Sequence, residues 1–275
     1  MSNLVSTEWL AGHLDDNLCL LDCSWHLPNA KRLAKAEFEA VHISGAHFFD
    51  IDAMSDTENP LPHMLPAPEF FASEVSKLGA TNAKKIICYD SVGLFSAARV
   101  WWMFKVFGHD NVAVLDGGLK KWLAENRITE SGASSAAEGN FTSNFRPNMV
   151  KSLSQIASET AQIASETVQI ADARSPTRFR GEEAEPRPGV KPGHIPGAMN
   201  VHYASLLNAD GTIRPHNELS QLFANAGINL EKPITTSCGS GVTAAIISLA
   251  LTEIGATNHA LYDGSWAEWG ASGRD

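Results

Sequence analysis

The chain has 275 residues, of which 44% are hydrophobic and 19% charged, and its formal net charge is −10. That composition supplies one large or two ordinary hydrophobic cores and excludes an intrinsically disordered chain. The acidic balance argues against nucleic acid or an anionic membrane as the main partner, while leaving room for a local basic pocket that holds a small anion.

No stretch approaches the roughly 20 apolar residues of a transmembrane helix. The opening MSNLVSTEWLAGHLDD lacks the basic head and apolar middle of a signal peptide. The expected location is cytoplasmic. Only four cysteines occur, Cys19, Cys23, Cys88 and Cys238, as in a reduced compartment rather than a disulfide scaffold. Cys19 and Cys23 fall in LCLLDCSW, an apolar run that reads as a buried strand. No second Cys or His pair of zinc spacing follows, so both read as small buried hydrophobes.

Along the chain, that first strand is followed by HISGAHFF, the proline-flanked loop LPHMLP and a helix in PEFFASEVSKLGA. An apolar strand and loop, KIICYDSVGLFSAAR, and then LDGGLKKW complete the first half. The small and polar residues of SGASSAAEGNFTSNFRPN carry no strong period and read as a linker, placed at residues 131–150. Next, SQIASETAQIASETVQIADAR repeats Gln-Ile-Ala at 155, 162 and 169. Only the third copy runs into Asp172 and Arg174, which places a strand there and a lengthened helix before it.

The second half answers the first in the same order, at a separation of about 150 residues. VQIADARS matches LCLLDCSW, HIPGAMNV matches HISGAHFF, and YDGSWAEW matches LDGGLKKW. Two divergent copies of one α/β domain follow, at residues 1–130 and 151–275, with NELSQLFANAGI as a further helix. His42 and His194, like Asp22 and Asp172, recur in both copies and read as structural.

In the second copy PITTSCGSGVTAAII places Cys238 on a strand-to-helix loop. Gly239 and Gly241 let successive N–H groups turn inward as a nest for negative charge, and the following helix adds its positive end. These features suit sulfur nucleophilicity. A cysteine phosphatase would carry an arginine at the sixth position after the cysteine, where this chain has Ala244, so phosphate loses its bidentate partner. The first copy has Asp90 at the position of Cys238 and is expected to be catalytically silent.

CGSGVT, HISGAHFFDID, LPHMLP, LFSAARVWWMF, DARSPTRFRG, EPRPG, HIPGAMNV and YDGSWAEWG together resemble the two-domain rhodanese-family sulfurtransferases, over nearly the whole chain. Within that family they resemble the branch that takes sulfur from 3-mercaptopyruvate, since thiosulfate-using relatives typically carry basic residues where Gly239 and Ser240 stand. The resemblance implies an α/β fold of tandem duplicated rhodanese-like domains, each a mostly parallel central sheet flanked by helices, the second being catalytic. It implies Cys238 as the nucleophile that carries sulfur as a persulfide. Ser240, His63 and Asp52 would form a proton relay, with the first domain contributing to catalysis, and Arg178 and Arg187 would bind substrate. Gly239, Gly241, Val242 and Thr243 would complete the loop. Spacing alone leaves His63 as a loop histidine capping a backbone group, and Arg174 and Arg180 compete with the two substrate arginines, one or more of which is expected to pair with Glu182, Glu183 or Glu185.

The implied substrate is 3-mercaptopyruvate, with a small thiol, thioredoxin or cyanide as acceptor. No metal or organic cofactor is called for, since the cysteine itself carries the group. The alternatives are a thiosulfate sulfurtransferase, disfavoured by an uncharged CGSG segment, and a non-enzymatic persulfide relay module, disfavoured by retention of Cys238, Arg178 and Arg187 together.

Overall fold

In the computed structural model of the chain, residues 2–14, 17–159 and 167–274 are described. Contacts divide it into two compact units. One comprises Met1–Asp56, Leu65–Arg146 and Asn208–Ile213; the other comprises Thr57–Met64, Pro147–Leu207 and Arg214–Asp275.

Among the described residues, seven strands lie in the first unit: β1 (Leu4–Val5), β2 (Leu18–Asp22), β3 (His42–Ile43), β4 (His47–Phe48), β5 (Lys85–Tyr89), β6 (Val112–Leu115) and β7 (Thr129–Glu130). Five of them form a parallel sheet in the order β1-β6-β5-β2-β4, while β3 and β7 pair antiparallel. Strands β2, β5 and β6 are apolar on both faces and almost wholly buried, as a sheet covered on both sides requires. The helix Ala97–Val106 buries every residue except Lys105, so it runs through the core rather than along the surface.

The second unit holds β8 (Val150–Lys151), β9 (Gln169–Asp172), β10 (Met199–Asn200), β11 (Ile234–Ser237) and β12 (His259–Tyr262), all parallel. Their order is β10-β9-β11-β12-β8. Matching β1 to β8, β2 to β9, β4 to β10, β5 to β11 and β6 to β12 makes the two orders identical, so the repeated motifs are a repeated topology. In each unit the strand that precedes the loop of interest, β5 or β11, is the middle one of five. Ligands of open parallel sheets bind beyond the carboxyl ends of such strands.

The repeated Gln-Ile-Ala shows how context overrides local sequence. At 155–157 it lies in the helix Leu153–Ser158, where Ser152 and Gln155 form a capping box; at 169–171 it lies in β9. Ile156 and Ile170 are both fully buried in one apolar cluster with Tyr262 and Trp266. The middle copy at 162, and with it much of the lengthened helix expected there, lies outside the described residues.

Two short segments depart from a division at one boundary. Asn208–Ile213 counts with the first unit, where the Ile213 N–H donates to Asp116 Oδ1 at 2.8 Å and Lys120 Nζ donates to the Ala209 carbonyl at 3.1 Å. Thr57–Met64 counts with the second unit and carries His63. The stretch expected as a linker also gains an anchor. Residues 131–146 belong to the first unit, where buried Phe141 packs edge-on against Phe71 and Phe104 and the Gly139 N–H donates to the Ser76 carbonyl at 2.8 Å. One aromatic side chain ties down a segment whose composition is otherwise that of a loop.

Candidate active site

Strand β11 ends at Ser237, and Cys238 follows as the first residue beyond the sheet, 2% exposed. The loop then runs to Thr243 and the buried helix Ala244–Glu253 begins. Gly241 has φ +77°, a conformation that glycine adopts without strain. Ser240 and Val242 are buried, and Gly239 and Thr243 are partly exposed. The loop is pinned from one side by the start of the helix Ser265–Trp269. The Trp266 and Ala267 N–H groups donate to the carbonyls of Cys238 and Gly239, both at 2.9 Å, and the Cys238 N–H donates to Ser265 Oγ at 3.2 Å.

What such a loop does to charge is visible in the first unit, where Asp90 occupies the matching place after β5. One carboxylate oxygen accepts from the Val92 and Gly93 N–H groups, both at 3.1 Å. The other accepts from Phe95 at 2.7 Å and from Ser96 and Ala97 at 3.0 Å. Gly93 stands at positive φ just as Gly241 does. The loop built by this repeat is therefore an anion cradle, and in the first copy its own side chain fills it.

His63 reaches the cysteine loop from Thr57–Met64. Its Nδ1 lies 3.0 Å from Ser240 Oγ and 3.4 Å from the Ser240 carbonyl oxygen, and the residue is 4% exposed with φ +60°. His63 and Ser240 are thus brought together within the second unit, two residues along the loop from Cys238. Asp52 lies exposed in the first unit, where its carboxylate accepts from Trp25 Nε1 at 3.1 Å.

The arginines separate clearly. Arg178 extends from the short helix Pro176–Phe179 so that its Nη2 lies 2.9 Å from where a Cβ on Gly239 would stand. Gly239 therefore leaves room for a guanidinium beside Cys238. Arg178 is held there by Glu185, bonded through Nη2 at 2.5 Å and Nε at 3.3 Å. Glu185, with its side chain 3% exposed, also accepts from Arg174 Nη1 at 2.8 Å. Arg174 in turn is buried, paired with Asp172 at 2.6 Å and stacked 4.7 Å from the Trp266 ring centroid. A chain of alternating charges, Asp172, Arg174, Glu185 and Arg178, thus ends at the cysteine loop. Arg180 pairs with Glu182 in solvent and has no part in it. Arg187 is half-buried in the turn-rich stretch that follows Glu185.

Burial pushes the Cys19 thiol up to about 12 and the Cys23 thiol well above its ordinary value, the latter reinforced by the neighbouring Cys88. All four cysteines are free. Sequence reasoning did not single out two contributors, Ser265 and the anchoring role of Glu185. A signal for the first was available: YDGSW has serine where LDGGL has glycine.

A family model for the rhodanese-like domain matches residues 6–125 and 157–272. The chain belongs to the rhodanese family. Among its rhodanese relatives, the 3-mercaptopyruvate sulfurtransferase of Escherichia coli K12 is 44% identical over 97% of this chain and 94% of its own length. The mitochondrial thiosulfate/3-mercaptopyruvate sulfurtransferase 1 of Arabidopsis thaliana is 41% identical over 97% of this chain and 75% of its own. The crystal structure of SseA from Escherichia coli, described with the rhodanese fold of 3-mercaptopyruvate sulfotransferases, superposes with a TM-score of 0.88. That match has 41% identity and covers 97% of this chain and 99% of the other.

Proposed function

We propose that this rhodanese is a 3-mercaptopyruvate sulfurtransferase in which Cys238 carries the sulfur. The observation that carries the choice of donor is the buried contact between His63 Nδ1 and Ser240 Oγ, two residues from the nucleophile. Thiosulfate brings no proton to its transferable sulfur. A mercaptan does, and its carbon fragment must be protonated on leaving, so a thiol donor needs proton handling beside the cysteine.

In the proposed cycle the Cys238 thiolate attacks the sulfur of 3-mercaptopyruvate. The bond from sulfur to C3 breaks, its electron pair passes into the pyruvate enolate, and protonation of C3 gives pyruvate. The donor's thiol proton is managed by Ser240 and His63, with Asp52 assigned to the same relay by the family resemblance. Arg178 and Arg187 meet the carboxylate and the developing enolate oxygen. Gly239, Gly241, Val242 and Thr243 supply the rest of the cradle around the sulfur, by analogy with the five N–H groups that hold Asp90. An acceptor thiolate, thioredoxin or cyanide then attacks the outer sulfur and restores the Cys238 thiolate.

We assign the protein to the cytoplasm on its sparing use of cysteine, four in 275 residues, the pattern of a reducing compartment. No helix among the described residues is long and apolar enough to cross a membrane. The test of the carrier is intact-protein mass after treatment with 3-mercaptopyruvate without acceptor. One added sulfur, removable by cyanide and lost in Cys238→Ser, is expected; an adduct that persists in Cys238→Ser would overturn the assignment.

A further inference from the structure

Among the described residues, four that are not glycine stand at positive φ: Lys31, His63, Asn126 and Ser265. Lys31 and Asn126 are exposed and sit just past helix ends, an ordinary place for the left-handed region. His63 and Ser265 are buried, 4% and 0% exposed, and both bond to the Cys238 loop. Strain that packing sustains at a buried, non-glycine position points to a function that needs that side chain.

For Ser265 the duplication supplies a control. The matching residue in the first unit is Gly118, at φ +54°, so the backbone conformation is shared and glycine satisfies it without strain. The second unit keeps the same conformation, φ +50°, and installs a hydroxyl. That hydroxyl donates to the Tyr262 carbonyl at 2.8 Å, which leaves its oxygen free to accept from the Cys238 N–H at 3.2 Å. The two units place different demands on the residue after the central strand. Asp90 anchors itself through five N–H bonds to its carboxylate. A cysteine sulfur is a weak acceptor and must gain and lose a second sulfur in each cycle, so its own side chain anchors it poorly. Its backbone has to be held instead.

We propose that Ser265 is a positioning residue for Cys238, accepting the Cys238 N–H so that the sulfur is presented to the loop's N–H groups. This rests on Cys238 being the sulfur carrier. Ser265→Gly removes the hydroxyl and leaves the backbone in a conformation the first unit already accommodates; Ser265→Ala removes only the oxygen. Both are expected to lower kcat with 3-mercaptopyruvate by roughly three- to tenfold, the worth of one neutral hydrogen bond, with KM within twofold of wild type. Ser265→Gly should unfold at a denaturant concentration no lower than wild type. Hydrogen exchange at the Cys238 amide should quicken in both variants, a readout that holds whichever sulfur donor the enzyme uses. Wild-type kcat and wild-type exchange in Ser265→Gly would overturn the proposal. So would a loss of kcat matched by a lowered unfolding midpoint, which would make Ser265 a fold residue only.

Discussion

Replacing Asp90 by asparagine removes the charge from the first unit's cradle and leaves the side chain's shape almost unchanged. The carboxylate accepts three N–H bonds on one oxygen and two on the other. An amide that keeps its oxygen toward Phe95, Ser96 and Ala97 turns an NH2 group toward Val92 and Gly93, so the buried Gly93 donor and the part-buried Val92 donor face a donor. Hydrogen bonds to a charged acceptor contribute roughly 1.5–3 kcal/mol each, so losing two costs about 3–6 kcal/mol. Against a typical total stability of about 5–15 kcal/mol this is severe. The assay is urea unfolding followed by tryptophan fluorescence, since Trp9, Trp25, Trp101, Trp102 and Trp122 report on this unit and only Trp266 and Trp269 on the other. With a slope of about 2 kcal/mol per molar urea, the first-unit transition should fall by roughly 1.5–3 M. A midpoint within 0.3 M of wild type, taking roughly that as the resolving power of the linear fit, would refute the view that Asp90 is an internal ligand of its own loop.

Ser240→Ala and His63→Gln are each expected to reduce kcat with 3-mercaptopyruvate by roughly 100-fold, the scale of acid–base assistance, and the double variant should be no slower than either single one. Multiplicative losses in steady-state rates would show that the two do not act as a unit. Arg187→Ala should raise KM for 3-mercaptopyruvate about tenfold with a smaller change in kcat, the loss of one charged contact to a carboxylate; unchanged donor kinetics would remove Arg187 from the site. Burial pushes His259 down to about 4, so the unfolded chain takes up a proton there that the folded chain refuses. The stability it contributes is present above pH 6.5 and is lost as pH falls toward 4, by about 2–3 kcal/mol. His259→Gln should flatten that limb of a pH series of urea melts, and an unaltered limb would contradict the assignment.

Much of the fold was legible because the duplication doubled each signal. A run such as KIICYD is ambiguous alone, but its counterpart ITTSC, at the same place between matching motifs, identifies both as central strands. The candidate for the nucleophile stood out for the same reason, since Cys238 and Asp90 differ where their surroundings agree. What spacing and periodicity could not supply, including the His63–Ser240 pairing that came only through the family resemblance, depends on pairings between residues distant in sequence. His63 lies 177 positions from Ser240, and no periodicity predicts that Thr57–Met64 packs with the second unit. Phe141 likewise anchors a stretch whose small, polar composition reads as a free linker. Among the arginines the sequence offered four candidates in one stretch. Only side-chain geometry separates Arg174, buried against Asp172 and Trp266, from Arg178 beside Gly239 and from solvent-facing Arg180.

The central claim is that this rhodanese draws sulfur from a thiol donor through Cys238, and the most direct test compares initial rates with 3-mercaptopyruvate and thiosulfate side by side, in wild type and Cys238→Ser, with cyanide as acceptor. A higher kcat/KM for 3-mercaptopyruvate that vanishes in Cys238→Ser is the predicted result. A preference for thiosulfate, or turnover that survives the loss of Cys238, would contradict it.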